Sequence, residues 1–346
     1  MALQAHLVYR FAMDRRAFLA TLPLVVGVRK SAAAEATVQT VLGPVAAGDL
    51  GLTLVHEHVL VDFIGADRVR ADRYSADDVF RVALPFLDEA KRLGLRTLVE
   101  CTPAYLGRDP VLLSRLAEST GLHILTNTGY YGAAKDRYVP AHAWRGSPDE
   151  LAARWIAEAR DGIDGTGIRP GFQKIGVDPG PLSRIDRKLV VAAARTHLAT
   201  GLTIAVHTGD GVAAREILST LEREGVGPSA YVWMHAQNEQ NRAIQAALAA
   251  AGAWVELDGV APRTASAHAD AVADLARRGH LGRLLVSQDA GWYHVGEPGG
   301  GSYRHYSFLL ETFAAALRER GLTDAQVRTL LVENPARAFA IGVRRR

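Results

Sequence analysis

The chain has 346 residues, 48% hydrophobic and 22% charged, with a formal net charge of +3. That is a globular composition, long enough for one large α/β domain, and no apolar run reaches the roughly 18–20 residues of a membrane span. A single cysteine, Cys101, excludes an internal disulfide.

The first 36 residues read as a leader. Arg15-Arg16 stand just before Phe18-Leu19, a moderately apolar stretch runs on to Val28, and Arg29-Lys30 leads into Ser31-Ala32-Ala33-Ala34. A charged segment, a short apolar segment and an Ala-x-Ala-like site make a secretory signal. The arginine pair before Phe-Leu resembles the twin-arginine type, which exports folded proteins. On this reading residues 1–36 are the signal, with Met13 an alternative start. Residues 37–346 are then the exported domain, and its destination is the periplasm. Without residues 1–34 the chain carries 35 basic and 36 acidic residues. The basic character therefore belongs to the leader and to Arg344-Arg345-Arg346, and it gives no argument for nucleic acid as a partner.

From residue 50 short apolar runs alternate with amphipathic stretches. Strands are predicted at 52–61, 96–101, 123–126, 172–177, 203–207, 231–235, 254–257 and 284–287. Helices are predicted between them at 76–93, 110–119, 148–160, 186–200, 213–224, 239–250 and 264–278, followed by 303–320 and 324–339. Eight strands alternating with helices imply an α/β fold, a (β/α)8 TIM barrel, with an open doubly wound sheet as the competitor. The open sheet often carries a Gly-rich phosphate turn after its first strand; here that strand holds His-Glu-His instead.

The first strand, Thr53-Leu54-Val55-His56-Glu57-His58-Val59-Leu60-Val61, places His56 and His58 on one face and Glu57 on the other. Neutral imidazole is a common metal ligand, and two on one face form a ready pair. Further ligand-capable residues mark other apolar strands: Lys174 within Phe172–Val177, His207 after Ile204-Ala205-Val206, His235 after Tyr231–Met234, and Asp289 just beyond Leu284–Ser287. Barrel active sites are built at the strands' C-terminal ends, and residues converging there suit a metal centre. Lys174 is costly inside a strand unless it is paired or changes its charge state.

The ordered set His56-x-His58, Lys174, His207, His235, Asp289 resembles the phosphotriesterase family of the amidohydrolase superfamily. The resemblance extends over roughly residues 38–346 and includes Gly48-Asp49-Leu50-Gly51, Thr166–Phe172 and Asn334-Pro335-Ala336-Arg337. It implies two divalent metal ions, with Zn2+ the default and Mn2+, Co2+ or Fe2+ alternatives, bridged by an N6-carboxylated Lys174. His56, His58 and Asp289 would hold the more buried ion; His207 and His235 would hold the exposed one. A bridging hydroxide would attack an ester, either a lactone or carboxylic ester or a phosphotriester, and Asp289 would take its proton.

Tyr131, in Asn127-Thr128-Gly129-Tyr130-Tyr131, matches a tyrosine that lactonase-like members place over the metals, where its hydroxyl can polarise a lactone carbonyl. After His235 the chain reads Ala236-Gln237-Asn238-Glu239, without the Asp-rich segment common in lactonases. Residues 290–304, Gly-rich and aromatic, are expected to form a specificity lid. His294 and His305 are expected in the pocket or its loops, Trp233 and Trp254 in the core, and Glu57 as a partner supporting the ligands. The substrate implied is a small-molecule ester or lactone, and the resemblance allows a homodimer. Two other readings are an amidohydrolase or deacylase cleaving C–N bonds of an N-acyl substrate, and a non-catalytic periplasmic binding protein, which would have a broken ligand set.

Overall fold

The computed structural model describes residues 36–346. The leader expected at residues 1–36 lies, apart from Ala36, outside the described residues. None of the described helices is long and apolar enough to cross a membrane.

An antiparallel hairpin of β1 (Thr37–Thr40) and β2 (Gly43–Ala46) comes first. It is followed by β3 (Thr53–Val61), α1 (Ala76–Arg92), β4 (Thr97–Glu100), α2 (Pro110–Thr120), β5 (His123–Leu125), β6 (Asn127–Thr128), α3 (Ala141–Arg145) and α4 (Pro148–Asp161). Next are β7 (Phe172–Gly176), α5 (Arg184–Thr200), β8 (Ile204–His207), α6 (Gly211–Arg223), β9 (Tyr231–Met234) and α7 (Arg242–Ala251). The chain continues through β10 (Trp254–Leu257), α8 (Ala265–Arg277), β11 (Leu284–Val286) and β12 (Gly291–His294). It ends with α9 (Ala314–Glu319), α10 (Asp324–Arg328) and α11 (Asn334–Phe339).

All eight predicted strands are present. They form parallel sheets in the orders β11-β10-β9-β8-β7-β6 and β12-β3-β4-β5. The sheets touch along two lines. β5 and β6 are parts of one predicted strand, interrupted only at Thr126. Beyond β11, Asp289 N donates to His56 O at 3.0 Å and His58 N to Ala290 O at 2.9 Å, which carries the chain along β3 into β12.

Side chains alternate in facing along a strand, and the core divides accordingly. One cluster gathers Val55, Val99, Leu125, Phe172, Ala205, Val232, Trp254 and Leu285, one from each of the eight predicted strands, together with Val38, Leu50 and Phe339. Their neighbours Leu54, Leu98, Ile124, Ile175, Ile204, Trp233, Val255 and Leu284 pack in a second cluster with the helices. Lys174, His207, Glu256 and Asp258 stand two or four residues beyond Phe172, Ala205 and Trp254, and so fall on the first cluster's side. In β3 that side shifts. Pairing with β4 slips between Leu54 and Glu57, an irregularity that lets Val55 and then His56 and His58 point the same way.

Several predicted elements differ in detail. Residues 291–294 form β12 rather than a free lid, because they continue the β11 run against β3, with Gly291 paired to His58. A Cβ on Gly291 would lie 1.8 Å from His58 O, so only glycine permits this approach. The helix predicted from residue 239 begins at Arg242, since the Glu239 side chain accepts from Asn241 N and Gly211 N instead of facing solvent on a first turn. The last helix is divided by a π-helical turn at Thr329–Glu333 ahead of Pro335, which lacks the N–H that would continue the ladder. Before α9 a second π-helical turn spans Leu309–Phe313.

Candidate metal centre

The six predicted ligands meet in one place. Asp289 Oδ1 lies 3.1 Å from His58 Nε2 and 3.9 Å from His56 Nε2. Lys174 Nζ lies 3.3 Å from His56 Nε2. The His56 and His235 rings are 4.9 Å apart, and the His235 and His207 rings 4.3 Å apart. His56, His58 and Asp289 each bring one donor atom within a common 4.8 Å.

Three of the four imidazoles, His56, His58 and His235, are oriented from behind. His56 Nδ1 meets Glu256 Oε1 at 2.7 Å and Asp258 Oδ2 at 3.0 Å. His235 Nδ1 donates to Asp258 Oδ1 at 2.7 Å, and its backbone N–H to Oδ2 at 2.8 Å. His58 Nδ1 donates to Thr102 Oγ1 at 2.7 Å, which donates to Glu100 Oε1 at 2.6 Å. With the proton held on Nδ1, each Nε2 turns a lone pair toward the cluster, the arrangement that metal-ligating histidines adopt. His56, His235 and Asp258 likewise bring one donor atom each within a common 4.8 Å. Asp258, however, faces the Nδ1 atoms of both histidines, which makes it their shared support.

The electrostatics agree. Burial lowers His56 from the ordinary 6.5 to about 3 and pushes His58 and His207 down as well, so these rings are neutral at pH 7. Burial works to raise Asp289 and Asp258, but the adjoining imidazoles hold both carboxyls below the usual range, leaving them anionic. Burial raises Glu57 to about 8 against three hydrogen bonds it accepts, from Ser287 Oγ at 2.7 Å, Gln288 N at 3.1 Å and Ala290 N at 2.6 Å. Glu57 thus fixes the segment that carries Asp289, the supporting role expected of it.

Two observations test whether divalent cations fit these residues. Lys174, only 1% exposed, has no carboxylate in salt-bridge range among the described residues; its Nζ faces His56 Nε2 and Met234 Sδ. A plain ammonium there would be buried and unpaired, a costly state, whereas an anionic derivative would suit two cations. Asp289 Oδ1 is buried and accepts no well-aligned hydrogen bond. The donor set of neutral imidazoles and carboxylate oxygens fits divalent cations. Strain points the same way: His235, Asp289 and Trp292 hold φ values of 60°, 52° and 80°, a region non-glycine residues keep only where their surroundings fix them.

Tyr131 joins the cluster. Its hydroxyl meets His207 Nε2 at 2.9 Å, and its ring lies across Gly176, where a Cβ would come within 2.7 Å of the ring. The Trp292 ring lies 4.3 Å from that of His58 and stacks on Phe63 at 5.8 Å and His294 at 5.9 Å, forming an aromatic wall. His294 therefore lines this wall, whereas His305 binds Glu89 Oε2 at 2.6 Å on α1. Trp233 and Trp254 are buried in the core, as expected. Sequence reasoning missed Glu100, Thr102, Glu256 and Asp258. The available signal was Trp254-Val255-Glu256-Leu257-Asp258, with two acids at alternate positions of a buried strand.

Comparison with known proteins adds the family context. Residues 36–339 match the model described as "Phosphotriesterase family". The chain is 30% identical over 302 residues to the phosphotriesterase homology protein of Escherichia coli, covering 84% of this chain and 98% of that one. It is 25% identical over 309 residues to the aryldialkylphosphatase of Saccharolobus solfataricus, covering 84% and 96%. It is 27% identical over 343 residues to the N-acetyltaurine hydrolase of Tetraodon nigroviridis, covering 86% and 96%.

Proposed function

The chain belongs to the phosphotriesterase family, and from that premise we propose that it is a binuclear metal-dependent hydrolase cleaving ester bonds. The observation that carries the reading is the convergence of His56, His58, Lys174, His207, His235 and Asp289 with their Nε2 atoms and carboxylate turned inward. In this reading the two sheets form one closed (β/α)8 barrel. What supports closure is the inner cluster drawing on all eight strands, and the hydrogen bonds from the segment after β11 to β3.

Divalent ions bound to these six residues would supply the Lewis acid that acidifies a water and polarises the scissile oxygen. The chain's own residues do the rest. Asp289, anionic and aimed inward, accepts the proton of the attacking water and returns it to the leaving group. Tyr131 donates its hydroxyl to the carbonyl or phosphoryl oxygen, a role open to it once His207 Nε2 is otherwise occupied. Trp292 and Phe63 keep bulk water from one side of the reacting centre.

A second reading, hydrolysis of a C–N bond in an N-acyl substrate, draws on the N-acetyltaurine hydrolases among the relatives. For location, we propose that Arg15-Arg16 direct export to the periplasm by the twin-arginine route.

One experiment addresses the activity. Metal-loaded protein is assayed against a γ-lactone, an aryl ester, a phosphotriester and an N-acyl amino acid, with bound metal quantified. Ester or lactone turnover that a chelator abolishes and added metal restores is the expected outcome. Preference for the N-acyl amino acid selects the second reading. Turnover that ignores the chelator, or none with both ions bound, overturns the metallohydrolase.

A further inference from the structure

A cavity of about 690 Å3 is lined by none of the six candidate ligands. It opens between the loop after β4, carrying Tyr105 and Arg108, and helix α4, carrying Arg154; Tyr130 and His142 contribute its inner wall. A narrower cavity of about 240 Å3 shares His142 and Arg154. The size falls within the range of small-molecule sites, about 300–1,000 Å3.

The lining is specific in ring geometry. Tyr105 meets Tyr130 edge-on at 5.5 Å and lies 6.2 Å from the His142 ring. Tyr105 holds φ at 65°, which a tyrosine keeps only against resistance, while the backbone bridge from Ala104 to Tyr130 pins the residue before it. The strained backbone thereby keeps a half-buried aromatic face at the cavity.

The charges sort unevenly. Arg108 is bound to Glu158 through two contacts of 2.7 and 2.9 Å, Arg70 to Asp72 at 3.0 Å, and Asp161 to Arg160 at 2.6 Å. Asp164 Oδ2 lies 3.6 Å from Arg108. Arg154 alone among these arginines has no carboxylate within salt-bridge range among the described residues. Beside it, His142 Nε2 lies 2.9 Å from the Tyr130 hydroxyl, a contact that fixes the ring against the cavity wall. The site therefore offers a planar cation, an imidazole and an aromatic surface, with Glu158 paired to Arg108 and Asp161 to Arg160.

We propose that this cavity is a second ligand site that takes a small aromatic monoanion of the aryl carboxylate class, its carboxylate on Arg154 and His142 and its ring against Tyr105. The guanidinium fork matches a carboxylate in two parallel hydrogen bonds, which a neutral amide cannot reproduce.

The test is calorimetric titration of the full metal-loaded protein with benzoate and, separately, with benzamide. Benzoate should bind one-to-one, and benzamide about tenfold or more weaker, as expected for one lost charge-assisted contact. Arg154→Ala should weaken benzoate about tenfold and Arg154→Lys less, with turnover unchanged in both. Tyr105→Ala should also weaken binding, and it keeps the test decisive if Arg154→Ala proves unstable. Benzoate binding that survives both alanine variants, or that is lost in Trp292→Ala instead, puts the anion at the metal centre and overturns the proposal. Absence of binding up to about 10 mM, weaker than about −3 kcal/mol, overturns it as well.

Discussion

The Tyr131 hydroxyl lies 2.9 Å from Nε2 of His207, so the phenol rests on the atom that a metal ion would claim. An ion there takes the lone pair and frees the hydroxyl for substrate. Tyr131→Phe should leave metal content intact and lower kcat for lactones about 10²-fold, the usual effect of removing one donor from a developing oxyanion, with little change in KM. Steady-state kinetics beside metal analysis provides the check. Unchanged kcat assigns the ring to packing.

Glu57 accepts three hydrogen bonds from the segment around Asp289. In Glu57→Gln the new NH2 group must face donors, leaving one or two buried groups unsatisfied at about 1–3 kcal/mol each. A lower unfolding midpoint in denaturant, together with weaker metal retention on dialysis, is expected. A variant with wild-type metal retention would separate Glu57 from the placement of Asp289.

Lys174 is buried without an acid partner among the described residues, which argues for its carboxylation. Metal uptake by chelator-treated protein should therefore quicken when bicarbonate is added. Lys174→Ala should hold fewer ions and lose most turnover, and Lys174→Arg should not respond to bicarbonate. Bicarbonate-independent uptake in the wild type, followed by elemental analysis, would contradict a carbamate ligand.

Protonation sets a further expectation for the metal-free chain. Unfolded His56 takes its proton near 6.5, but the folded ring only near about 3. Between those values the unfolded state binds more protons, so this contribution is intact above pH 6.5 and is lost as pH falls toward 3. Glu57 and Glu100, raised by burial to about 8 and about 7, run in the opposite sense. The informative quantity is thus the wild-type stability minus that of His56→Gln. That difference should shrink by up to about 2 kcal/mol between pH 7 and pH 5 in urea titrations.

The leader gives a prediction of its own. Replacing Arg15 and Arg16 with lysine should retain the protein inside the cell, as measured by fractionation, if the pair is read by the folded-protein exporter. Periplasmic protein from the double variant would refute that route.

Periodicity made the eight strands and most helices legible, because buried parallel strands are short apolar runs and the helices between them are amphipathic. The ligands were legible for a related reason: His56, Lys174 and His207 are ligand-capable side chains set in, or at the end of, largely apolar runs. Asp258 and Glu100 were harder to read. Their importance lies in which imidazole they face, and that depends on strand neighbours far apart in sequence. β12 was missed because Gly291-Trp292-Tyr293-His294 carries no alternation of its own; its pairing is dictated by β3.

One carboxylate, Asp258, meets Nδ1 of two imidazoles, His56 and His235, that would hold different ions in the proposed binuclear centre. An ion on either ring would make that ring's Nδ1–H more acidic and draw the shared carboxylate toward it, which would change the support left for the other ring. With two ions bound as proposed, the two binding events would be coupled, and each ion would alter the affinity for the other by the same factor. A metal titration would then yield two macroscopic constants that belong to the pair, the singly loaded chain being a different host for the second ion than the empty chain is for the first.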